Sequence, residues 1–285
     1  MLMLRRAAPV LALLALAACG SQTPDDDPDP DRTTAPGAAH VVRHETVVAE
    51  DHSPGCPAVD TATAACTRAR LEYPEFEGDH ALARALREWT AEWILAPAMF
   101  EGDRATSAGA VARDFVEAHA AFRRGDPDAA SFGWDLERTV EVTRSVSPVV
   151  VLVASEQAYI GGAHSSYRVQ HQGFHPDTGE ALTLARILGT DAVRHVQALL
   201  ETRFREDAGL AAEAPLTDGG LFDDLPPGDN LDWEPEGLIF HYNPYEVGPW
   251  STGVIRVRLS WDEVAPHLSA DVADLLGPWL TRSSP

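Results

Sequence analysis

The sequence predicts an α+β fold with a largely antiparallel sheet packed with helices. Segments of period 3.6 and period two come in groups rather than in strict alternation, which sets the chain apart from a doubly wound parallel sheet. The turns Gly161-Gly162 and Pro176-Asp177-Thr178-Gly179 follow period-two segments with no long crossover between them, so those strands pair antiparallel. Of 285 residues, 45% are hydrophobic and 23% charged, which is enough apolar surface for one large domain or two small ones and excludes general disorder.

The chain begins with a targeting pattern. Arg5 and Arg6 precede an apolar stretch, Ala7 to Ala18, too short to span a bilayer. It runs into Leu16-Ala17-Ala18-Cys19-Gly20, which resembles the lipobox of bacterial lipoproteins. The resemblance implies that residues 1–18 are a signal peptide and that Cys19 becomes the lipidated first residue of the mature chain. It also implies an extracytoplasmic place in the cell envelope, with the lipid in the membrane. Gly20 after the cysteine fits an outer-membrane anchor facing the periplasm, if two membranes are present. Residues 19–39 carry Asp25, Asp26, Asp27, Asp29 and Asp31 among Pro, Thr and Gly, and read as an acidic disordered tether.

Beyond the tether, residues 40–50 and 67–73 read as strands. Between them Cys56 and Cys66, ten apart in an oxidising compartment, read as one disulfide, with two free thiols or half a metal site as alternatives. A helix runs from an Asp79 cap to Leu95 with Leu82, Leu86, Trp89 and Trp93 at helical spacing. A second follows Ser107 with Val111, Phe115, Ala118 and Phe122, and Gly125-Asp126-Pro127 ends it. Strands are expected from Trp134 to Val142, from Pro148 to Ile160 and from Tyr167 to Phe174. Thr190 caps a third helix carrying Val193, Val196, Leu200 and Phe204. Residues 207–230 read as loop, strands follow near 237–243 and 253–260, and helices close the chain at 261–268 and 270–281.

Four blocks carry a family resemblance. They are Leu71-Glu72-Tyr73-Pro74-Glu75-Phe76, then Ala158-Tyr159-Ile160-Gly161-Gly162-Ala163-His164, then Asp177-Thr178-Gly179-Glu180-Ala181-Leu182-Thr183-Leu184, and finally the run from Gly237 to Gly253 containing Asn243-Pro244-Tyr245-Glu246-Val247-Gly248-Pro249-Trp250. In that order they resemble the extracytoplasmic two-domain module, of otherwise unknown function, shared by the anti-sigma factor RsiV and the peptidoglycan deacetylase PdaC. Ile160 stands where that family commonly shows Thr. The resemblance implies two adjacent α+β subdomains, residues 40–180 and 181–285. It further implies a binding module, since the region in RsiV binds lysozyme and the deacetylase chemistry of PdaC belongs to a separate domain.

All 22 basic residues are Arg, against 44 Asp and Glu, for a formal charge of −22. Such a surface does not displace counterions from nucleic acid. It would steer a cationic lysozyme-like protein, though a solvated acidic surface explains the charge as well. Cell-wall glycan, peptidoglycan, is the other expected partner. Candidate ligand-binding residues are Tyr159, Gly161, Gly162 and His164 at one turn, and Tyr242, Tyr245, Glu246 and Trp250 in a Pro- and Gly-punctuated loop. Each set also reads as plain architecture, a hairpin turn with a packed histidine and a rigid corner filled by aromatics.

His164, His171 and His175 raise a metal reading. On a strand, His171 and His175 lie about 13 Å apart, too far for one ion. No metal and no cofactor is therefore expected. There is no Gly-x-Ser-x-Gly and no His-Glu-x-x-His, so no catalytic residue is named. A peptidoglycan-modifying enzyme using His164, and an envelope scaffold, stand as alternatives to a non-catalytic envelope lipoprotein.

Overall fold

The computed structural model describes residues 42–56, 66–97, 104–125, 132–145, 148–189 and 192–281. The expected signal peptide, Cys19, the expected tether and the expected Thr190 cap lie outside them. Strands β1 (His44–His52) and β2 (Arg68–Phe76) pair antiparallel along their whole length, from His44 against Phe76 to His52 against Arg68. Their connection is closed by a disulfide between Cys56 and Cys66, with Cα atoms 5.6 Å apart.

Helices α1 (Ala81–Ile94) and α2 (Ala108–Gly125) follow. His80, rather than Asp79, caps α1. His80 is the last extended residue, and its Nδ1 accepts the Ala83 N–H at 3.2 Å. The two helices carry the chain back across the sheet, so β3 (Asp135–Arg144) joins β2 in parallel, from Arg68 against Asp135 to Glu72 against Thr139. Strands β4 (Val150–Tyr159) and β5 (Ser166–Phe174) add antiparallel neighbours by tight connections, giving the order β1-β2-β3-β4-β5.

The remainder holds the single turn α3 (Leu184–Ile187), α4 (Ala192–Asp207), and a second antiparallel sheet in the order β6 (Leu231–Glu234), β7 (Gly237–Tyr242), β8 (Ile255–Ser260). Strand β6 was not anticipated. It has four residues, turned at Pro235-Glu236, and is too short for its alternation of Leu231 and Trp233 to register as a period. Short helices α5 (Trp261–Val264), α6 (Ala270–Leu275) and α7 (Gly277–Leu280) end the described chain. The expected helices at 261–268 and 270–281 are broken. Pro266 turns the first into a 3₁₀ segment, and Leu276-Gly277-Pro278 divides the second.

Two apolar cores result. In the first, Leu82 and Leu86 of α1 and Val111 and Phe115 of α2 cover Leu71, Leu136 and Leu152 of the larger sheet. In the second, Val196, Leu200 and Phe204 of α4 pack with Trp233, Phe240, Val257, Trp261 and Trp279. Val193, expected on that stripe, is exposed. Strand β4 serves both cores by its two-residue period. Val150 and Leu152 point into the first, Val151 and the preceding Val149 into the second. Beside them on β5, Gly173 leaves room for the Trp233 ring, whose Nε1 would lie 2.4 Å from a Cβ placed there. The smaller sheet thereby seats on one end of the larger.

Candidate functional site

The hairpin between β4 and β5 turns at Gly161 (φ 105°) and Gly162 (φ 97°), where a side chain would be strained. A Cβ on Gly161 would also meet Phe132 Cζ at 2.4 Å. Tyr159 braces the turn, with its ring 5.8 Å from Phe132 and its hydroxyl donating to the Gly162 carbonyl at 3.3 Å. His164 stands at the exposed tip. Its Nδ1 lies 3.0 Å from the Ser165 carbonyl, and its ring stacks on Trp250, centroids 4.0 Å apart at 21°. Two loops distant in sequence, both nominated as binding elements, thus meet face to face.

The second loop joins β7 to β8, and its residues divide by role. Tyr242 is turned into the core, whereas Glu246 is exposed and bonds within its own loop. Tyr242 is buried in the second core and its hydroxyl donates to the Pro226 carbonyl at 3.0 Å. Burial, and then the Glu246 charge, push its phenol above the ordinary tyrosine range. The Glu246 carboxylate accepts from the Asn243 N–H at 2.9 Å and from Asn243 Nδ2 at 3.0 Å. Asn243 so oriented accepts the Val169 N–H through Oδ1 at 2.7 Å.

Tyr245 and Trp250 face solvent instead, at 62% and 41% exposure. Tyr245 adopts φ 73°, and its N–H donates to the Gly248 carbonyl at 2.9 Å. Phe222, which the sequence did not single out, joins them. It is 55% exposed, and its N–H donates to the Val247 carbonyl at 2.8 Å. Exposed acids Asp218, Asp223 and Asp224 flank it. A Phe in a Gly-, Pro- and Asp-rich segment carries no period, so nothing local marked it as a surface residue. Tyr245, Trp250 and Phe222 are therefore exposed aromatics on two hydrogen-bonded segments, and aromatics are enriched at recognition surfaces.

His164 bonds no carboxylate among the described residues.

Beneath these loops the free edge of β5 is closed by side chains rather than by a strand. Asn230 accepts the His171 N–H through Oδ1 at 2.8 Å and donates to the Val169 carbonyl through Nδ2 at 2.8 Å. Asn243 takes the Val169 N–H as above. Asn230 Oδ1 also lies 3.0 Å from His171 Nδ1. That ring rests against His241, centroids 3.9 Å apart, and Asp232 completes a group whose donor atoms all lie within 4.8 Å of one another. Burial, then the neighbouring His171 and Arg256, push His241 down to about 3. His171 is lowered chiefly by burial, against the pull of Asn230 and Asp232.

The three histidines considered together from sequence are dispersed. His164 is at the hairpin tip. His175 Nδ1 accepts the Asp177 N–H at 3.2 Å and the Thr178 N–H at 3.4 Å, stabilising its own turn. His171 instead meets Asp232 and His241, which come from strands whose pairing sequence could not supply.

Residues 187–262 match the family described as "Protein of unknown function (DUF3298)". No curated protein matches the chain. Among solved structures, it resembles a member of the DUF3298 family from Bacteroides fragilis NCTC 9343, at 17% identity and a TM-score of 0.69, over 86% of this chain and 98% of that one. It also resembles a DUF3298 family protein from Pseudomonas aeruginosa PAO1, at 14% identity and a TM-score of 0.60, over 81% of this chain and 96% of that one. These likenesses show a shared α+β fold.

Proposed function

We propose that this protein is a lipid-anchored, non-catalytic binding module of the cell envelope that takes a cationic, lysozyme-like protein on its aromatic loops. The observation that carries the reading is the stack of His164 on Trp250, which brings two loops together, with Tyr245 exposed on one of them and Phe222 exposed on a segment bonded to it. Aromatic anchors of this kind supply most of the energy at protein interfaces. The acids around Phe222 and the charge of −22 supply steering toward a basic partner. The resemblance of the four sequence blocks to the module of RsiV and PdaC supports the same reading, as the Leu16-Ala17-Ala18-Cys19 run supports the anchor.

The test is calorimetric titration of the detergent-solubilised chain with lysozyme, at low salt and near 0.5 M salt, where the screening length is about 4 Å. Binding is expected to weaken but persist at high salt. Trp250→Ala is expected to weaken it at least about tenfold, the loss of roughly 1.4 kcal/mol. Binding that vanishes at high salt and ignores Trp250→Ala would mean charge attraction alone and would remove the reading. Soluble peptidoglycan fragments, titrated in parallel, separate a glycan ligand from a protein one. The anchor has its own readout, since Cys19→Ala should abolish labelling by radioactive palmitate.

A further inference from the structure

We propose that His171, Asp232 and His241 form a binding site for a divalent first-row transition ion, with Zn²⁺ as its probe. Two imidazoles and one carboxylate are the donor set that such ions take in proteins. The three come from β5, β6 and β7, so one ion would bridge the larger sheet to the smaller. This inference is independent of what the aromatic loops bind.

Three features of the cluster point to an ion. First, His241 is 6% exposed, yet both its ring nitrogens are buried without a hydrogen-bond partner. A buried polar group left unpaired is costly and uncommon, and a metal bond to one nitrogen would relieve it. Second, His171 is held as a metal-ligating histidine is held. Its Nδ1 faces Asn230 Oδ1 at 3.0 Å, and that oxygen also accepts the His171 backbone N–H. An acceptor there keeps the proton on Nδ1 and presents the Nε2 lone pair, the outer-shell arrangement that fixes tautomer and ring orientation. Third, the donors are close to a coordination geometry. All lie within 4.8 Å of one another, while a tetrahedral ion at roughly 2.0–2.2 Å from each donor sets them about 3.3 Å apart. Asp232, half-buried on the open side of its sheet, can close that difference by rotating its side chain. Three protein donors leave one position for water.

One neighbour opposes the ion. Arg256 lies directly across from His241 in the β7–β8 register. It is exposed, so solvent screens it, but its charge sets an affinity below that of a site without it.

The experiment uses the full chain in detergent, stripped with chelator and titrated with Zn²⁺ by calorimetry and by thermal unfolding. One equivalent is expected to bind and to raise the unfolding temperature. Co²⁺ is expected to give the intense visible bands of a four-coordinate site. Asp232→Asn, at the half-exposed member, should keep the fold and weaken affinity at least tenfold. His241→Phe should lose binding, and circular dichroism will report whether it folds. Arg256→Gln should tighten binding several-fold, and His164→Ala should leave it unchanged. Absence of binding to the folded wild-type chain overturns the proposal, as does wild-type affinity in Asp232→Asn.

Discussion

Tyr245 is the non-glycine residue that adopts a positive φ among the described residues, at 73°. That conformation places a Cβ against its own carbonyl and costs about 1–2 kcal/mol. Its side chain is largely exposed, so packing does not repay the cost. The fold holds it through the Tyr245 N–H to Gly248 bond and the Asn243–Glu246 clasp. Tyr245→Gly should therefore raise stability by about 1 kcal/mol in urea unfolding while weakening partner binding. A variant that gained no stability would mean the backbone is unstrained, and one that bound as before would leave Tyr245 outside the interface. At this scale sequence and structure part company. Tyr242, Tyr245 and Glu246 are near neighbours in one loop, and nothing in their identities tells which is buried. The strand register decides it, since β7 turns Tyr242 inward and the loop then lifts Tyr245 out.

At the scale of elements, the end of α1 shows how the sheet supports its helices. Arg138 of β3 is fully buried beneath that helix. Its Nη1 donates to the carbonyls of Trp93 at 2.9 Å, Ile94 at 3.2 Å and Ala96 at 2.8 Å, which the helix leaves unpaired. Its Nε donates to Glu156 on β4 at 2.8 Å, and Arg168, stacked on Trp93 at 4.3 Å, pairs with the other Glu156 oxygen at 3.3 Å. Burial lowers the Arg138 pKa, and the Glu156 charge opposes that shift. Arg138→Met would leave three carbonyls unpaired and one carboxylate half-compensated. It should cost about 3 kcal/mol, read as a lower urea midpoint with an unchanged slope. A loss below about 1 kcal/mol would show that the network returns no more than its own desolvation cost. The helix itself was legible, because four apolar residues at period 3.6 and a following proline mark it. The arginine that completes it was not, because a lone Arg on an amphipathic strand reads as a solvated charge.

At the scale of the fold, three histidines among the described residues are withdrawn from solvent, His119, His171 and His241, and burial lowers all three. The unfolded chain protonates its histidines near the ordinary value of about 6.5, and the folded chain resists until lower pH. Between those values the unfolded state binds more protons. Stability is then complete above about pH 6.5 and falls as the pH drops toward the folded values, near 3 for His241. Urea midpoints measured in chelator near pH 7.5 and pH 5 should show the lower midpoint at acid pH, with a smaller difference in His241→Phe. Equal midpoints in the wild type would mean that the folded histidines titrate as unfolded ones do.

The class of the fold, the positions of the long helices and strands, the two glycine turns and the two loops that meet at His164 and Trp250 can be read from the chain before any tertiary contact is known. Those features are written in local terms, as a period, a turn residue or a composition, and need no knowledge of what lies across from them. The remaining features arise only on packing. The parallel joining of β2 to β3, the strand β6, the asparagines that close the edge of β5 and the meeting of His171 with Asp232 and His241 all depend on register between segments far apart in the chain. Register is set by which apolar faces bury together, and that free energy belongs to the packed pair rather than to either segment.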